Sequence, residues 1–261
     1  MKIIGISDPI IKYIKNQKKT NKEKELLVVE DLYVLSLTQK YELEVQTFIY
    51  CPEVCYKEEN QELIHHLEQI AHESYQVSRK TYESIVDKEN SAGLLAVIKK
   101  QYESQSYLNN QNQFILVVDQ MEIPGNLGSI VRTSNAVKVD LVLNVDSITN
   151  INSSKVTTSS RGMNLIVPIT NITYENAQKY LVDNEFDIYL GEPTLGISYK
   201  DYQYQGKIAI VVGSERFGIN PKWYEGSHKK VFIPMRGEMS SLNVSIAASI
   251  LLYEAFSKRS L

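Results

Sequence analysis

Short apolar runs alternate with helical patterns along the whole chain. In the first half LLVVE (26–30), VQTFIYC (45–51), YQVS (75–78) and GLLAVI (93–98) read as strands, with helices expected near 31–40, 60–73 and 78–87. The second half restarts with FILVVD (114–119), LVLNV (141–145), LIVPI (165–169), FDIYLG (186–191), IAIVVG (208–213) and KVFIPM (230–235). Consecutive apolar positions mark strands buried on both faces, and such strands separated by helices form a parallel sheet. Between the halves, KKQYESQSYLNNQNQ (99–113) offers almost no core material and reads as a linker. The expected organisation is therefore a small α/β domain over 1–98, a linker over 99–113, and a larger α/β domain over 114–261 with helices on both faces of its sheet.

Composition narrows the class. With 43% hydrophobic and 23% charged residues in 261, the chain is a folded protein, not a disordered one. A net charge of -3 excludes a globally basic nucleic-acid binder but not a local basic patch. One such run is Lys12–Lys24, with six lysines against one glutamate. It reads either as a solvated helix or loop, or as a phosphate-contacting patch through Lys18, Lys19 and Lys22. No apolar run approaches the ~18 residues of a membrane span, and the N-terminus lacks signal-peptide order, so a cytoplasmic protein is expected. Cys51 and Cys55 are then ordinary reduced thiols. His65, His66 and His72 share one polar stretch with no cysteine at ligand spacing, so no metal site is expected.

Three clusters do not look like scaffolding. In VVDQMEIPGNLGSIVRTSNA (117–136) a buried strand leads through a Pro-Gly turn into a helix expected to start near Leu127, with Asn126 as its N-cap. Arg132 would project back over a bare Gly128, an arrangement suited to a phosphate. In IAIVVGSERFGINP (208–221) a buried strand runs into Gly213-Ser214-Glu215, and glycine at a strand's C-terminal end admits a ligand or another backbone. No Lys-Ser/Thr follows Gly218, and no G-x-G-x-x-G follows any strand, so both common phosphate-loop fingerprints are missing. In VFIPMRGEMSSLNVSIAASILLYEAF (231–256) a strand, a polar loop and a long helix follow one another, with Ser241 or its neighbour as the cap. Leu242, Ile246, Ile250 and Tyr253 fall on one helical stripe, core or interface, which is taken as plain packing.

In this order and spacing the clusters resemble the three motifs of the SpoU/TrmH family, the SPOUT-class RNA ribose 2′-O-methyltransferases. Asn126, Gly128, Arg132 and Thr133 match the first motif. Gly213, Ser214, Glu215 and Gly218 match the second. Ile233-Pro234-Met235 and Ser241 through Ser245 match the third. IPGNLGSIVRTSNA with VDSIT (145–149) looks especially like the thiostrepton-resistance branch, whose members methylate large-subunit ribosomal RNA. Residues 1–98 are similar to the small RNA-binding domain, related to a ribosomal protein, that often precedes the catalytic one.

The resemblance implies a trefoil knot in the C-terminal sheet, a homodimer, and S-adenosylmethionine as methyl donor. It assigns Leu190, Gly191, Gly213, Ser214, Ile233, Met235, Ser241, Leu242 and Asn243 to the cofactor. Arg132, Asn126, Glu215, Ser241 and Asn243 become the reacting set, with Arg132 working beside the partner subunit's cofactor. Gly128, Arg132, Lys18, Lys19 and Lys22 would meet RNA. Guanidinium groups hold their protons tightly, so Arg132 fits a phosphate clamp and alkoxide stabiliser better than a base. Alternatives are transfer RNA as substrate, or a non-catalytic RNA-binding module of the same fold.

Overall fold

The structure, a computed structural model, describes residues 1–55, 60–87, 92–102 and 113–259. Chain contacts divide it into two compact units: Met1–Gln101 with Asn152–Leu165, and Tyr102–Ile151 with Ile166–Leu261. Most of the expected linker, residues 103–112, lies outside the described residues.

The first unit contains β1 (Lys2–Ile4), α1 (Pro9–Thr20), β2 (Leu26–Val29), α2 (Leu32–Tyr41), β3 (Val45–Tyr50), α3 (Gln61–Ile70), β4 (Ala71–Val77), α4 (Arg79–Glu83) and β5 (Leu94–Lys99). Its sheet runs β1-β4-β3-β5-β2, with β5 antiparallel to both neighbours and the other pairs parallel. Asp8 caps α1 and Pro9 sits at its first position, where a missing N–H costs nothing. Ile11 and Ile14 then turn one face of α1 into the core beside Ile49, Leu95 and Val97, leaving most lysines outside. Cys51 and Cys55 are free and buried.

The helix expected over 60–73 stops at Ile70, and His72 lies in a strand. β4 begins four residues before the expected YQVS because pairing with β3, not apolar content, defines it; most of its positions are only half-buried. A second difference concerns the segment Asn152–Leu165, which lies inside the expected 114–261 domain but packs into the first unit. There α6 (Ser154–Ser159) buries Val156, and the Asn152 side-chain amide donates to the Lys24 carbonyl at 2.8 Å. Gly162, at φ +78°, sits so close to α2 that a Cβ would lie 2.7 Å from the Val34 side chain.

The second unit contains β6 (Phe114–Asp119), α5 (Pro124–Ala136), β7 (Leu141–Val145), β8 (Ile169–Ile172), α7 (Tyr174–Asp183), β9 (Asp187–Glu192), β10 (Ile197–Ser198), β11 (Ile208–Val212), β12 (Lys229–Phe232) and α8 (Val244–Lys258). Among the described residues its seven strands are all parallel, in the order β10-β12-β9-β11-β6-β7-β8. Alternation along the strands separates two faces. Ile115, Val117, Ile188, Leu190, Ala209 and Val211 pack with Ala177 and Leu181 of α7 and with Trp223. The other face meets α8, against which α5 packs.

Several boundaries move for physical reasons. LIVPI does not form a strand: Pro168 has no N–H to give, although its carbonyl accepts from Val142, and β8 starts at Ile169. KVFIPM is a strand only to Phe232, which leaves Ile233–Met235 in a loop. α5 starts at Pro124, not near Leu127, so Asn126 lies inside the first turn and is not the cap. The α8 stripe is not core packing. Leu242, Ile246 and Tyr253 are exposed, while Val244, Ala248, Leu251, Leu252 and Ala255 face inward. Among the described residues no helix is long and apolar enough to cross a membrane.

Candidate active site

Because the strands are parallel, β9, β11 and β12 end at the same edge of the sheet, where ligands bind in open α/β folds. The loops that follow them surround a cavity of about 630 Å³. Val212, Ile233, Met235, Leu242 and Leu251 supply apolar lining, and Glu192, Ser214, Glu215, Ser241 and Asn243 supply polar groups. That size and mixture suit a drug-sized amphiphile with one flat apolar part.

Glycine is required at the end of β11. A Cβ on Gly213 would lie 2.0 Å from the backbone carbon of Gly218, so the two backbones touch. Ser214 and Gly218 exchange backbone hydrogen bonds of 2.9 and 3.0 Å, and the Ser214 hydroxyl accepts from the Phe217 N–H at 3.2 Å. Gly218 closes the turn at φ +70°. Below it, the fully buried Asp119 accepts from the Asn220 N–H at 2.7 Å. Burial pushes this carboxyl above its usual range, and the N–H opposes the shift.

The mouth of the cavity carries a hydrogen-bonded chain drawn from all three clusters. Asn243 caps α8, its amide oxygen accepting from the Ser245 N–H at 2.9 Å. Its amide nitrogen donates to the Asn126 oxygen at 3.3 Å, and the Asn126 nitrogen donates to Glu215. A side-chain amide is thereby held in one orientation by a carboxylate on one side and an amide on the other. The cap is Asn243 and not Ser241, which is exposed and lines the cavity.

Of the residues expected at a cofactor, Gly191, Gly213, Ser214, Ile233, Met235, Ser241, Leu242 and Asn243 line the cavity. Leu190 does not: it is a strand residue whose side chain belongs to the core on the opposite face. Gly128 is buried, not bare. Arg132 is exposed on α5 and is not among the lining residues of its own chain. Lys18 is engaged inside the first unit by Glu30, by Asp87 at 3.4 Å and by the Ile85 carbonyl at 3.0 Å. Lys19 and Lys22 are exposed.

The cavity also uses residues that sequence reasoning missed: Glu192, Phe217, Tyr224 and Met239. Glu192 was recoverable, since it follows Gly191 at the C-terminal end of a parallel strand. The Tyr224 hydroxyl donates to it, and burial with that carboxylate pushes the phenol up. Nothing in the pattern of residues 220–226 singles out Tyr224.

Such a sheet edge, with three loops meeting over one cavity, defines an α/β protein with a ligand-sized pocket whose mouth carries a chain of polar side chains. Residues 113–253 match the pattern of the SpoU rRNA Methylase family, and the chain belongs to that family. A Staphylococcus epidermidis protein named for the TrmH family of tRNA/rRNA methyltransferases is 35% identical over 148 residues, covering 56% of this chain and 59% of the relative. The chain thus spans less than two thirds of that relative's length. The 23S rRNA (guanosine(2553)-2′-O)-methyltransferase RlmP of Bacillus subtilis is 25% identical over 69% of this chain and 71% of its own. Among solved structures, the fold is shared with the AdoMet-bound rRNA methyltransferase of Sinorhizobium meliloti (TM-score 0.80, 21% identity, 97% of both chains). It is shared also with the SpoU methyltransferase AviRb of Streptomyces viridochromogenes (TM-score 0.82, 18% identity, 96% and 98%).

Proposed function

We propose that the second unit transfers a methyl group from S-adenosylmethionine to a ribose 2′-hydroxyl of ribosomal RNA. One observation carries the proposal: the Asn243–Asn126–Glu215 chain stands beside a cavity whose wall is bare backbone at Gly213. The residues present fit the donor. Gly213 lets its backbone close on that of Gly218 at the cavity wall, Val212, Ile233, Met235 and Leu242 offer an apolar wall for adenine, and Ser241 with Asn243 supplies polar groups for the reacting end. When bound, S-adenosylmethionine supplies an electrophilic methyl on a sulfonium.

The protein's own groups do the rest. Asn126 and Glu215 orient the ribose. The apolar wall excludes water, which favours a reaction in which opposite charges cancel. Arg132 clamps the neighbouring phosphate and stabilises the alkoxide that forms as the 2′-hydroxyl gives its proton to solvent at the exposed mouth; the methyl's bond to sulfur would break as its bond to that oxygen forms, and a neutral thioether would leave. Its absence from the cavity of its own chain fits a homodimer in which it serves the second copy. The exposed stripe of Leu242, Ile246 and Tyr253 supports the same reading. A knot threaded through the loops after β9, β11 and β12 is supported by backbone approaches that admit no side chain, at Gly213 and at Gly196, where a Cβ would lie 2.1 Å from the Lys230 carbonyl oxygen. The first unit delivers RNA through Lys19 and Lys22, and the whole works in the cytoplasm.

The test is to incubate the purified protein with labelled S-adenosylmethionine and unmodified ribosomal or transfer RNA, then map ribose methylation. Label at a 2′-oxygen of ribosomal RNA is expected. Label only in transfer RNA moves the substrate, and no label in either RNA refutes the reading.

A further inference from the structure

Phe217 is one of the cavity residues that the proposed reaction leaves unused. It lines the cavity, yet 66% of it is exposed. Its turn is rigid: Gly213 touches Gly218, two backbone hydrogen bonds close the turn, and the Ser214 hydroxyl holds the Phe217 N–H. The Arg216 guanidinium lies over the ring, 5.0 Å from its centroid, so the ring is backed by a cation while most of it stays in solvent. A large apolar ring left in water on a rigid support contributes little to the core. Its chemistry is that of a platform for another flat π-system, since unpaired nucleobases stack on aromatic rings and guanidinium planes. Glu215 stands only two residues away, a span of at most about 7 Å. A ribose held at the Glu215–Asn126 pair therefore has its own base within reach of the ring.

We propose that Phe217, backed by Arg216, is the surface on which the base of the target nucleotide stacks, so that the enzyme requires that nucleotide unpaired. The inference rests on the proposed methyl transfer to RNA and adds the residue that recognises the base. Every base has a π-face, so this contact selects for an unpaired base and not for its identity.

The test compares Phe217→Ala, Phe217→Leu and Phe217→Trp in the full-length protein. With in vitro transcribed large-subunit ribosomal RNA, KM for RNA is expected to rise about tenfold in the Ala and Leu variants and to return in the Trp variant. The affinity for S-adenosylmethionine alone, measured by calorimetry, is expected to stay unchanged in all three. A single-stranded RNA oligonucleotide carrying 2-aminopurine should be quenched by the wild-type protein and not by Phe217→Ala. If Leu matches Phe in KM, apolar area and not stacking is at work and the inference falls. It falls equally if Phe217→Ala loses S-adenosylmethionine affinity without RNA, for then the ring covers the donor. If the wild-type protein neither binds S-adenosylmethionine nor methylates RNA, the proposed function fails instead, and the 2-aminopurine measurement still decides the role of Phe217.

Discussion

At Gly213 a single hydrogen atom in place of a methyl group decides whether the cavity has its wall. Gly213→Ala forces apart two backbones that touch, which is overpacking without a flexible side chain to yield, at a cost of about 1–3 kcal/mol. A lower thermal midpoint and lost S-adenosylmethionine binding are the expected outcomes. Gly237→Ala is the control: beyond its own chain neighbours nothing lies within 4 Å of its Cβ position, so melting and binding should match wild type. Asn126 tests the reacting end separately. Asn126→Ala removes the middle of the Asn243–Asn126–Glu215 chain and frees Glu215 to swing. Turnover should fall on the order of 100-fold, the cost of misplacing a reacting group by about 1 Å, with S-adenosylmethionine affinity held near wild type by calorimetry. Equal losses in both quantities would make Asn126 part of the cofactor wall.

Among the elements, α1 makes the sharpest distinction between residues of one type. Lys18 and Lys19 are neighbours, but Lys18 is turned inward to Glu30 and Asp87 while Lys19 faces water. Lys18→Gln should therefore cost stability, on the order of 2 kcal/mol because a part-buried carboxylate loses its partner, with little change in how RNA affinity falls with salt. The double variant Lys19→Gln/Lys22→Gln should do the reverse, leaving the melt unchanged and flattening the salt slope. An identical salt slope in that variant would return the lysines to an ordinary solvated surface. The run of lysines was legible in the sequence, but the inward turn of Lys18 was not, because its partners lie 12 and 69 positions away. The same divide runs through the fold. The central strands β6, β7 and β11 announce themselves by unbroken apolar residues. β4 and β8 are defined by their neighbours' hydrogen bonds and were misplaced. Of the cavity residues, Gly213, Ser241 and Asn243 were legible from their own chemistry, while Gly191, Ile233, Met235 and Leu242 were reached only through the family resemblance. Phe217, Tyr224 and Met239 were not, since an aromatic or methionine on a loop carries no sign of where it points.

For the molecule as a whole, the decisive question is how many chains make one site. If Arg132 serves the partner, mixing Arg132→Ala with Gly213→Ala subunits should restore activity that neither variant has alone. Random pairing makes about half the dimers mixed, each with one complete site, so recovery to about a quarter of wild type is expected. No recovery after dissociation and reassociation would mean that Arg132 acts within its own chain. A second consequence concerns the order in which the chain is made. Asn152–Leu165 completes the first unit, with Gly162 seated against Val34 and Leu37 of α2. A ribosome must therefore emit some fifty residues of the second unit before the first can close. Its unfinished apolar face has to wait uncovered through that interval, and a gene cut after codon 101 would leave it uncovered for good.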